Sequence, residues 1–345
     1  INRKAAKELF RLVYLHVPKT GSNLGSAMAH TLCPTIPKNF FTTEPHGVLG
    51  KLKEKGEWNC NLTKVLQYES GHSPLSSTLL HQSGVIAFLL RDPIERLFSG
   101  YSHGLHDCLH PPVALRKRAK LGLIDETAAS RYGECVEGCA VRMLVGKRCG
   151  RDYQAIAQNR DALPPPRTRN RRRGPTRKSS KEKAREREEE LLRQREEKQK
   201  RESREDKEED DSAENREREL ALAVSILARE NTFVGLTEEL PLSICLWHAM
   251  YGGHCSAASF YHMRTSKTKA KLVGLSHLRS RMDGRSHLPQ LLMRDAVLYA
   301  AGQRRFRNLC QLHNVTPTSC ACQICPDAPY EVFFPFPERE SLLVK

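Results

Sequence analysis

Residues 12–24, LVYLHVPKTGSNL, join an apolar, β-branched run to a short polar turn. The run from Leu12 to Val17 predicts a buried strand, and a helix is expected from about Asn23 to Cys33. A strand, a tight polar turn and a helix point backbone N–H groups and the positive end of a helix dipole at an anion. The stretch therefore predicts an anion-binding corner of an α/β fold.

The residues of the turn suit this purpose. Gly21 lets the backbone approach a ligand closely, Lys19 supplies a positive charge, and Thr20 and Ser22 add hydroxyl groups. The turn lacks the Gly-x-x-x-x-Gly-Lys spacing of the nucleoside triphosphate P-loop, so it is a relative of that loop and not a copy. An ordinary strand–turn–helix corner without a ligand is the alternative.

A second stretch has the same organisation. Residues 85–90, VIAFLL, predict another buried strand, which ends in RDPIERLFSGY at residues 91–101. Ligands of open α/β sheets bind at the carboxyl ends of the strands. Arg91 at a strand end and Ser99 on the following helix are therefore placed to clamp one phosphate from two sides.

Together, PKTGS and RDPIERLFSGY resemble motifs of the Golgi carbohydrate O-sulfotransferases, with the heparan sulfate 2-O-sulfotransferase group nearest by motif. The resemblance implies a P-loop-like α/β fold with a central, mainly parallel sheet flanked by helices. It also implies PAPS (3′-phosphoadenosine 5′-phosphosulfate) as sulfuryl donor and no metal requirement. The second motif then holds the 3′-phosphate through Arg91 and Ser99. The first holds the 5′-phosphosulfate through Lys19, Thr20, Gly21, Ser22 and Asn23.

The same resemblance suggests a catalytic base. In that family a Gly-His step between the two PAPS motifs takes the proton from the acceptor hydroxyl, and His72 stands in that position. Histidine suits the role because it changes charge near neutral pH. Glu69 is a second catalytic candidate, which either orients His72 or acts itself, and Lys19 stabilises charge on the leaving nucleotide. Ser70 replaces a second histidine that the 2-O-sulfotransferases carry.

Three further blocks are similar to the family. Arg142 lies in an Arg-Met-Leu-x-Gly block and is expected to face donor or acceptor. Residues 234–239, VGLTEE, predict a strand end before a helix at Leu242–Tyr251. Arg279 is assigned to a loop that closes over PAPS.

The segment with His103, His106, Cys108 and His110 matches no tight metal template, so we assign it to a helix surface or the acceptor groove.

The net charge of +16 lies mostly outside a low-complexity run. Residues 167–220 hold 20 Lys and Arg against 17 Asp and Glu, with few apolar residues, and predict a disordered or single-helix insertion. We divide the chain into 1–163 with the PAPS motifs, the insertion 164–219, the domain's second part 220–309, and a Cys-rich tail 310–345. A helix is expected at Leu220–Glu230 and a terminal one at Asp295–Leu309.

Twelve cysteines and the glycosylation sequons at Asn61 and Asn314 favour an oxidising, lumenal compartment. Cys135 and Cys139 are candidates for a local disulfide, with Cys149 paired elsewhere, but the sequence does not determine the connectivity. In the tail, disulfides are favoured over zinc. No apolar run of about 18 residues is present. The resemblance implies a Golgi type II membrane protein whose anchor precedes the given residues.

The positive charge of the folded part fits an anionic donor and an anionic glycan acceptor. Nucleic acid is not expected, because zinc-finger, RNA-recognition and helix-turn-helix signatures are all missing. Two alternatives remain open: a kinase with an atypical P-loop, for which Asp92 is placed to bind magnesium, and a catalytically silent glycan-binding protein on the same scaffold.

Overall fold

A computed structural model describes residues 12–21, 24–32, 36, 72–82, 84–121, 126–154, 156, 212–260 and 288–334. Its centre is a parallel sheet in the order β1-β2-β3, formed by Leu12–Leu15, Val85–Leu90 and Thr232–Leu236. Every strand residue is buried, as expected when helices cover both faces of a parallel sheet. The predicted α/β class with a parallel sheet flanked by helices is therefore confirmed.

The helices fall into two groups along the chain. Those before the charged run are α1 Leu24–Leu32, α2 Ser77–Gln82, α3 Pro93–Ser102, α4 Val113–Lys120, α5 Glu126–Cys135 and α6 Cys139–Leu144. Those after it are α7 Ala213–Ala228, α8 Leu240–Tyr251, α9 Leu288–Leu291, α10 Met293–Leu312, α11 Pro317–Ser319 and α12 Tyr330–Phe333. A 3₁₀ turn at Ala257–Phe260 and a π-helical turn at Cys320–Ile324 complete the described elements. Among the described helices, none is long and apolar enough to cross a bilayer.

The register brings the carboxyl ends of all three strands together. Leu15 of β1 is paired with Phe88 of β2, and Leu90 at the end of β2 is paired with Leu236 at the end of β3. The segments that follow these strands therefore emerge at one edge of the sheet. This is the edge at which ligands of open parallel sheets bind.

The helix α7 begins earlier than the sequence indicated. The Ser212 hydroxyl accepts a hydrogen bond from the Asn215 amide at 3.2 Å and so caps a helix that starts at Ala213, not at Leu220. Glu219, placed in the insertion by the sequence analysis, is buried and paired with Lys147 at 2.8 Å and with Arg294. The folded part therefore includes residues 213–219.

Four disulfides cross-link the described residues, as is typical of proteins from oxidising compartments. They join Cys108 to Cys135, Cys139 to Cys149, Cys245 to Cys320, and Cys255 to Cys325. The candidate Cys135–Cys139 bond is wrong. A turn with Gly138 in the left-handed region separates α5 from α6, and each cysteine reaches a different loop. In the tail, Cys320 and Cys325 are in disulfides, while Cys310 and Cys322 are free thiols.

A buried ion pair holds the helices behind the sheet. Arg96 of α3 donates to Asp295 of α10 at 2.7 Å, and the side chains are 4% and 2% exposed. The other carboxylate oxygen of Asp295 accepts hydrogen bonds from the backbone amides of Ala140 and Val141, at 3.1 and 3.4 Å. One carboxylate therefore neutralises a buried guanidinium and caps the start of α6.

Acid should destabilise the fold through His248, a buried residue of α8. Burial, helped by the charges of His30 and His254, lowers the pKa of His248 from 6.5 to about 4. Between these values the unfolded state binds a proton that the folded state does not. The free energy of unfolding should therefore fall by about 3 kcal/mol as the pH drops from 6.5 to 4.

Urea unfolding of His248→Asn across this pH range measures how much His248 contributes to the loss of stability in acid. Asparagine retains an N–H donor for the Gly252 carbonyl, which lies 3.1 Å from Nδ1 of His248, but it does not titrate. The variant should lose less stability on acidification than the wild type, whereas His81→Asn, at an exposed position of α2, should follow the wild type. Equal acid sensitivity of all three proteins would contradict the prediction.

Candidate active site

The loop after β1 lies at the carboxyl edge of the sheet and contains two residues in the left-handed region. Lys19 has φ +65° and Gly21 has φ +94°, with Thr20 between them. Left-handed residues occur in anion-binding nests, where successive N–H groups point at one anion, but here the Thr20 amide donates to the Val17 carbonyl at 3.4 Å. Around a Cβ at Gly21 the nearest side-chain atoms would be 3.8 Å away, so the backbone conformation, not space, favours glycine there.

The Thr20 side chain stabilises this loop from inside. It is buried, and its hydroxyl donates to the Val17 carbonyl at 2.8 Å. The hydroxyl proton is used in this bond, and the Thr20 amide also donates to the Val17 carbonyl, at 3.4 Å, so in this conformation Thr20 offers an anion neither donor. Its predicted role in holding a phosphosulfate stays a prediction.

Arg91 joins the second motif to this loop. Its Nη1 donates to the Lys19 carbonyl at 3.2 Å, and its Nη2 lies 3.7 Å from the Glu95 carboxylate one helical turn later. The two corners that the sequence analysis assigned to opposite ends of one nucleotide are thus in direct contact. Ser99 is partly exposed on α3, about two helical turns after Asp92.

Asp92 is used to cap α3. One of its carboxylate oxygens accepts hydrogen bonds from the amides of Ile94 and Glu95, at 2.9 and 3.0 Å. Capping of this kind is the usual role of an aspartate at the N-cap position of a helix. The kinase alternative assigned magnesium binding to Asp92, so this contact weakens that alternative.

Two residues after β3 tie the strand ends together, and sequence reasoning missed both. The Thr237 amide donates to the Leu90 carbonyl at 2.8 Å, and the Thr237 hydroxyl contacts the Thr20 carbonyl. Glu238 accepts a hydrogen bond from the Asp92 amide at 2.9 Å. Both strand ends, Leu90 and Leu236, were visible in the sequence. Pairing them as neighbouring parallel strands would have placed the residue after Leu236 beside the residue after Leu90.

A carboxylate, that of Asp107, contacts two imidazoles near the end of β1. Oδ1 of Asp107 is 2.6 Å from Nδ1 of His72, and Oδ2 of Asp107 contacts Nδ1 of His106. Burial by itself would raise the pKa of Asp107, but the hydrogen bonds from His106 and His72 outweigh it and hold this pKa well below its usual range. The ring of His16, the residue after β1, lies 5.1 Å from the ring of His72.

This triad has a definite chemical capability. Because an ionised carboxylate can only accept hydrogen bonds, each Nδ1 donates to Asp107, and in the neutral form of either histidine the lone pair is on Nε2. The carboxylate also stabilises the imidazolium that forms when such a nitrogen takes a proton. His72 is therefore equipped to act as a general base, and His106 has the same form.

The loop that carries Asp107 is tightly held. Asp107 has φ +67°, and the next residue, Cys108, is cross-linked to α5. A Cβ at Gly150 would lie 1.7 Å from the Asp107 carbonyl oxygen, so only glycine fits against it. The Tyr132 hydroxyl donates to the His106 carbonyl at 2.9 Å. These contacts hold in place the loop that carries His106 and Asp107, two members of the triad.

The other residues predicted for the site either lie apart from the triad or fall outside the described part of the chain. Arg142 donates from Nε to the Arg148 carbonyl at 3.0 Å and so supports its own loop. His110 is 70% exposed and pairs with Asp152 at 3.0 Å, apart from the triad contacts. Four predicted site residues lie outside the described part of the chain: Glu69, Ser22, Asn23 and Arg279. Asp107 was missed because its position beside His72 depends on the loop's left-handed backbone.

Comparison with known proteins adds no family to this description. No protein-family model, no curated protein and no solved structure matches the chain.

Proposed function

We propose that the chain is an enzyme that transfers the sulfuryl group of PAPS to a hydroxyl of a glycan. The observation that carries the proposal is the 3.2 Å hydrogen bond from Arg91 to the Lys19 carbonyl. It brings the two motifs within reach of one nucleotide at the ligand-binding edge of a parallel sheet. The position of His72 beside His16, just after β1, adds a base at the same edge.

In the proposed reaction the acceptor oxygen attacks the sulfur as its proton passes to Nε2 of His72. The bond between sulfur and the bridging oxygen breaks. Its electron pair stays on the 5′-phosphate of the leaving nucleotide, PAP, which is PAPS without its sulfuryl group. The Lys19 ammonium stabilises the charge that develops there, as cations do in phosphoryl transfer. Asp107 stabilises the imidazolium of His72 until the proton leaves to solvent.

A basic helix next to the triad supports an anionic acceptor. The helix α4 presents four exposed cations and no acidic residue: Arg116, Lys117, Arg118 and Lys120. The Lys120 stem lies close against Gly104, since a Cβ there would be 2.8 Å from Cε. Gly104 precedes His106 by two residues, so the charge of α4 lies close to the proposed base. A polysaccharide with carboxylate or sulfate groups fits such a surface.

The compartment follows from the same proposal. Four disulfides in the described residues fit an oxidising lumen, where glycans and PAPS-dependent enzymes meet. We propose the Golgi lumen as the location of the enzyme.

Nucleotide binding tests the donor site directly. The wild type should bind PAP about 10- to 100-fold more tightly than AMP, which lacks the 3′-phosphate, because Arg91 adds a charged hydrogen bond. Arg91→Ala should remove most of this preference, whereas Lys19→Ala should weaken both nucleotides. Isothermal titration and thermal shift measure these changes.

Arg304→Ala is the matched control, because Arg304 is exposed on α10. It should leave both affinities unchanged. Equal affinity of the wild type for PAP and AMP, or an equal loss in the control, would contradict the proposal. Binding of sulfated polymer without any effect of PAP would instead favour the silent glycan-binding alternative.

A further inference from the structure

The triad of His72, His106 and Asp107 also has the composition of a metal site. One ligand atom from each side chain lies within 4.8 Å of the other two. The side chains are 27%, 27% and 16% exposed, so the group is partly shielded but open to a small ion. Two imidazoles and one carboxylate form a donor set that binds zinc and neighbouring transition metals well.

We propose that these three residues bind one divalent transition-metal ion, with zinc as the representative. Zinc takes imidazole nitrogen and carboxylate oxygen at about 2.0–2.2 Å, so donor atoms that already lie within 4.8 Å of one another can share one ion after small shifts. A fourth position is left for water. Magnesium and calcium prefer sites built from oxygen alone, and this donor set selects against them.

The surroundings of the triad favour binding because they reduce the cost of ordering it. Two of the ligands are consecutive residues, His106 and Asp107, in a loop tied to α5 by the disulfide of Cys108. The loop is also packed against Gly150. His72 already contacts both Asp107 and the His106 ring, whose centroid is 4.9 Å from its own. A metal ion therefore meets ligands that are assembled before it arrives.

Occupation by metal has a consequence that rests on the proposed function. A neutral imidazole has one lone pair, and coordination uses it, whichever ring nitrogen is involved. His72 then cannot accept the proton of the acceptor hydroxyl. Bound zinc should stop sulfuryl transfer reversibly and leave PAP affinity unchanged, because neither Lys19 nor Arg91 is a ligand.

Cobalt titration of chelator-treated protein tests the site without reference to activity. Co²⁺ should bind with a stoichiometry of one and give visible d–d absorption without a thiolate charge-transfer band, since all three ligands are nitrogen or oxygen. His106→Gln and Asp107→Asn should each weaken binding by about 100-fold or more, because each removes a direct ligand. His110→Gln is the matched control, since it alters an exposed histidine that also pairs with a carboxylate, and it should bind as the wild type does.

Histidine-ring NMR of the unmodified protein keeps the test valid if a variant misfolds. Zn²⁺ should shift the ring nitrogens of His72 and His106 and leave those of His110 in place. Absence of stoichiometric binding by the wild type, or wild-type binding by His106→Gln, overturns the proposal and leaves a hydrogen-bonded triad only. Metal binding without PAP binding would support the metal site and contradict the proposed enzyme. PAP binding without metal binding would support the nucleotide site and contradict the metal site.

Discussion

Replacement of His72 by alanine is expected to lower the rate of sulfuryl transfer by about 10³-fold, within the usual range for loss of a general base. The reason is that the acceptor hydroxyl must lose its proton as the S–O bond forms, and Nε2 of His72 is the proposed acceptor. Affinity for PAP should remain within a few-fold of the wild type, because the side chain lies outside the nucleotide loop. Labelled PAPS with a panel of desulfated polysaccharides provides the rate, and titration provides the affinity.

Two variants sharpen this test. Asp107→Asn should give an intermediate loss, mainly in kcat, because the amide no longer stabilises an imidazolium. His110→Ala should retain the wild-type rate, since His110 is exposed and pairs with Asp152 instead. If His72→Ala kept more than a tenth of the wild-type activity, the assignment of His72 as base would be wrong.

Asp295→Ala is expected to destabilise the fold by about 3–5 kcal/mol, the cost of leaving a buried charge unpaired. The change strands the Arg96 guanidinium and also removes the acceptor for the Ala140 and Val141 amides at the start of α6. Urea unfolding followed by circular dichroism measures the free energy of unfolding.

The matched control is an ion pair at the surface. Glu214 and Arg218 pair one turn apart on α7 with both side chains more than two-thirds exposed, so Glu214→Ala should cost only a few tenths of a kcal/mol. The double variant Arg96→Met/Asp295→Leu should be more stable than Asp295→Ala, because no unpaired charge is left inside. Similar losses for Asp295→Ala and Glu214→Ala would mean that the inner pair is accessible to water.

The sheet was predictable because its strands are short apolar runs that end at marked turns. The run at Val85–Leu90 was predicted with the observed limits, and β1 ends at Leu15, two residues early, as the chain turns toward Pro18. The start of α7 was not predictable in the same way. Residues 213–219 resemble the charged run before them, and what places them in the fold is long-range pairing, such as Glu219 with Lys147.

The site was predictable where it depends on strand ends and not where it depends on loop conformation. The contact between Arg91 and Lys19 follows from two neighbouring parallel strands, each with its motif at the carboxyl end. Asp107 reaches His72 through a loop with several residues at positive φ, which no local pattern specifies. Likewise, the pairing of Cys135 with Cys108 depends on where that loop packs, so spacing along the chain gave the wrong partner.

The two cross-links of the tail bear on how the integrity of this protein must be judged. The Cys245–Cys320 and Cys255–Cys325 bonds overlap along the chain, so both span every peptide bond between Cys255 and Cys320. A protease nick in that interval would leave two pieces joined, which migrate as one band until a reductant separates them. Preparations that look intact on a non-reducing gel can therefore contain cut molecules.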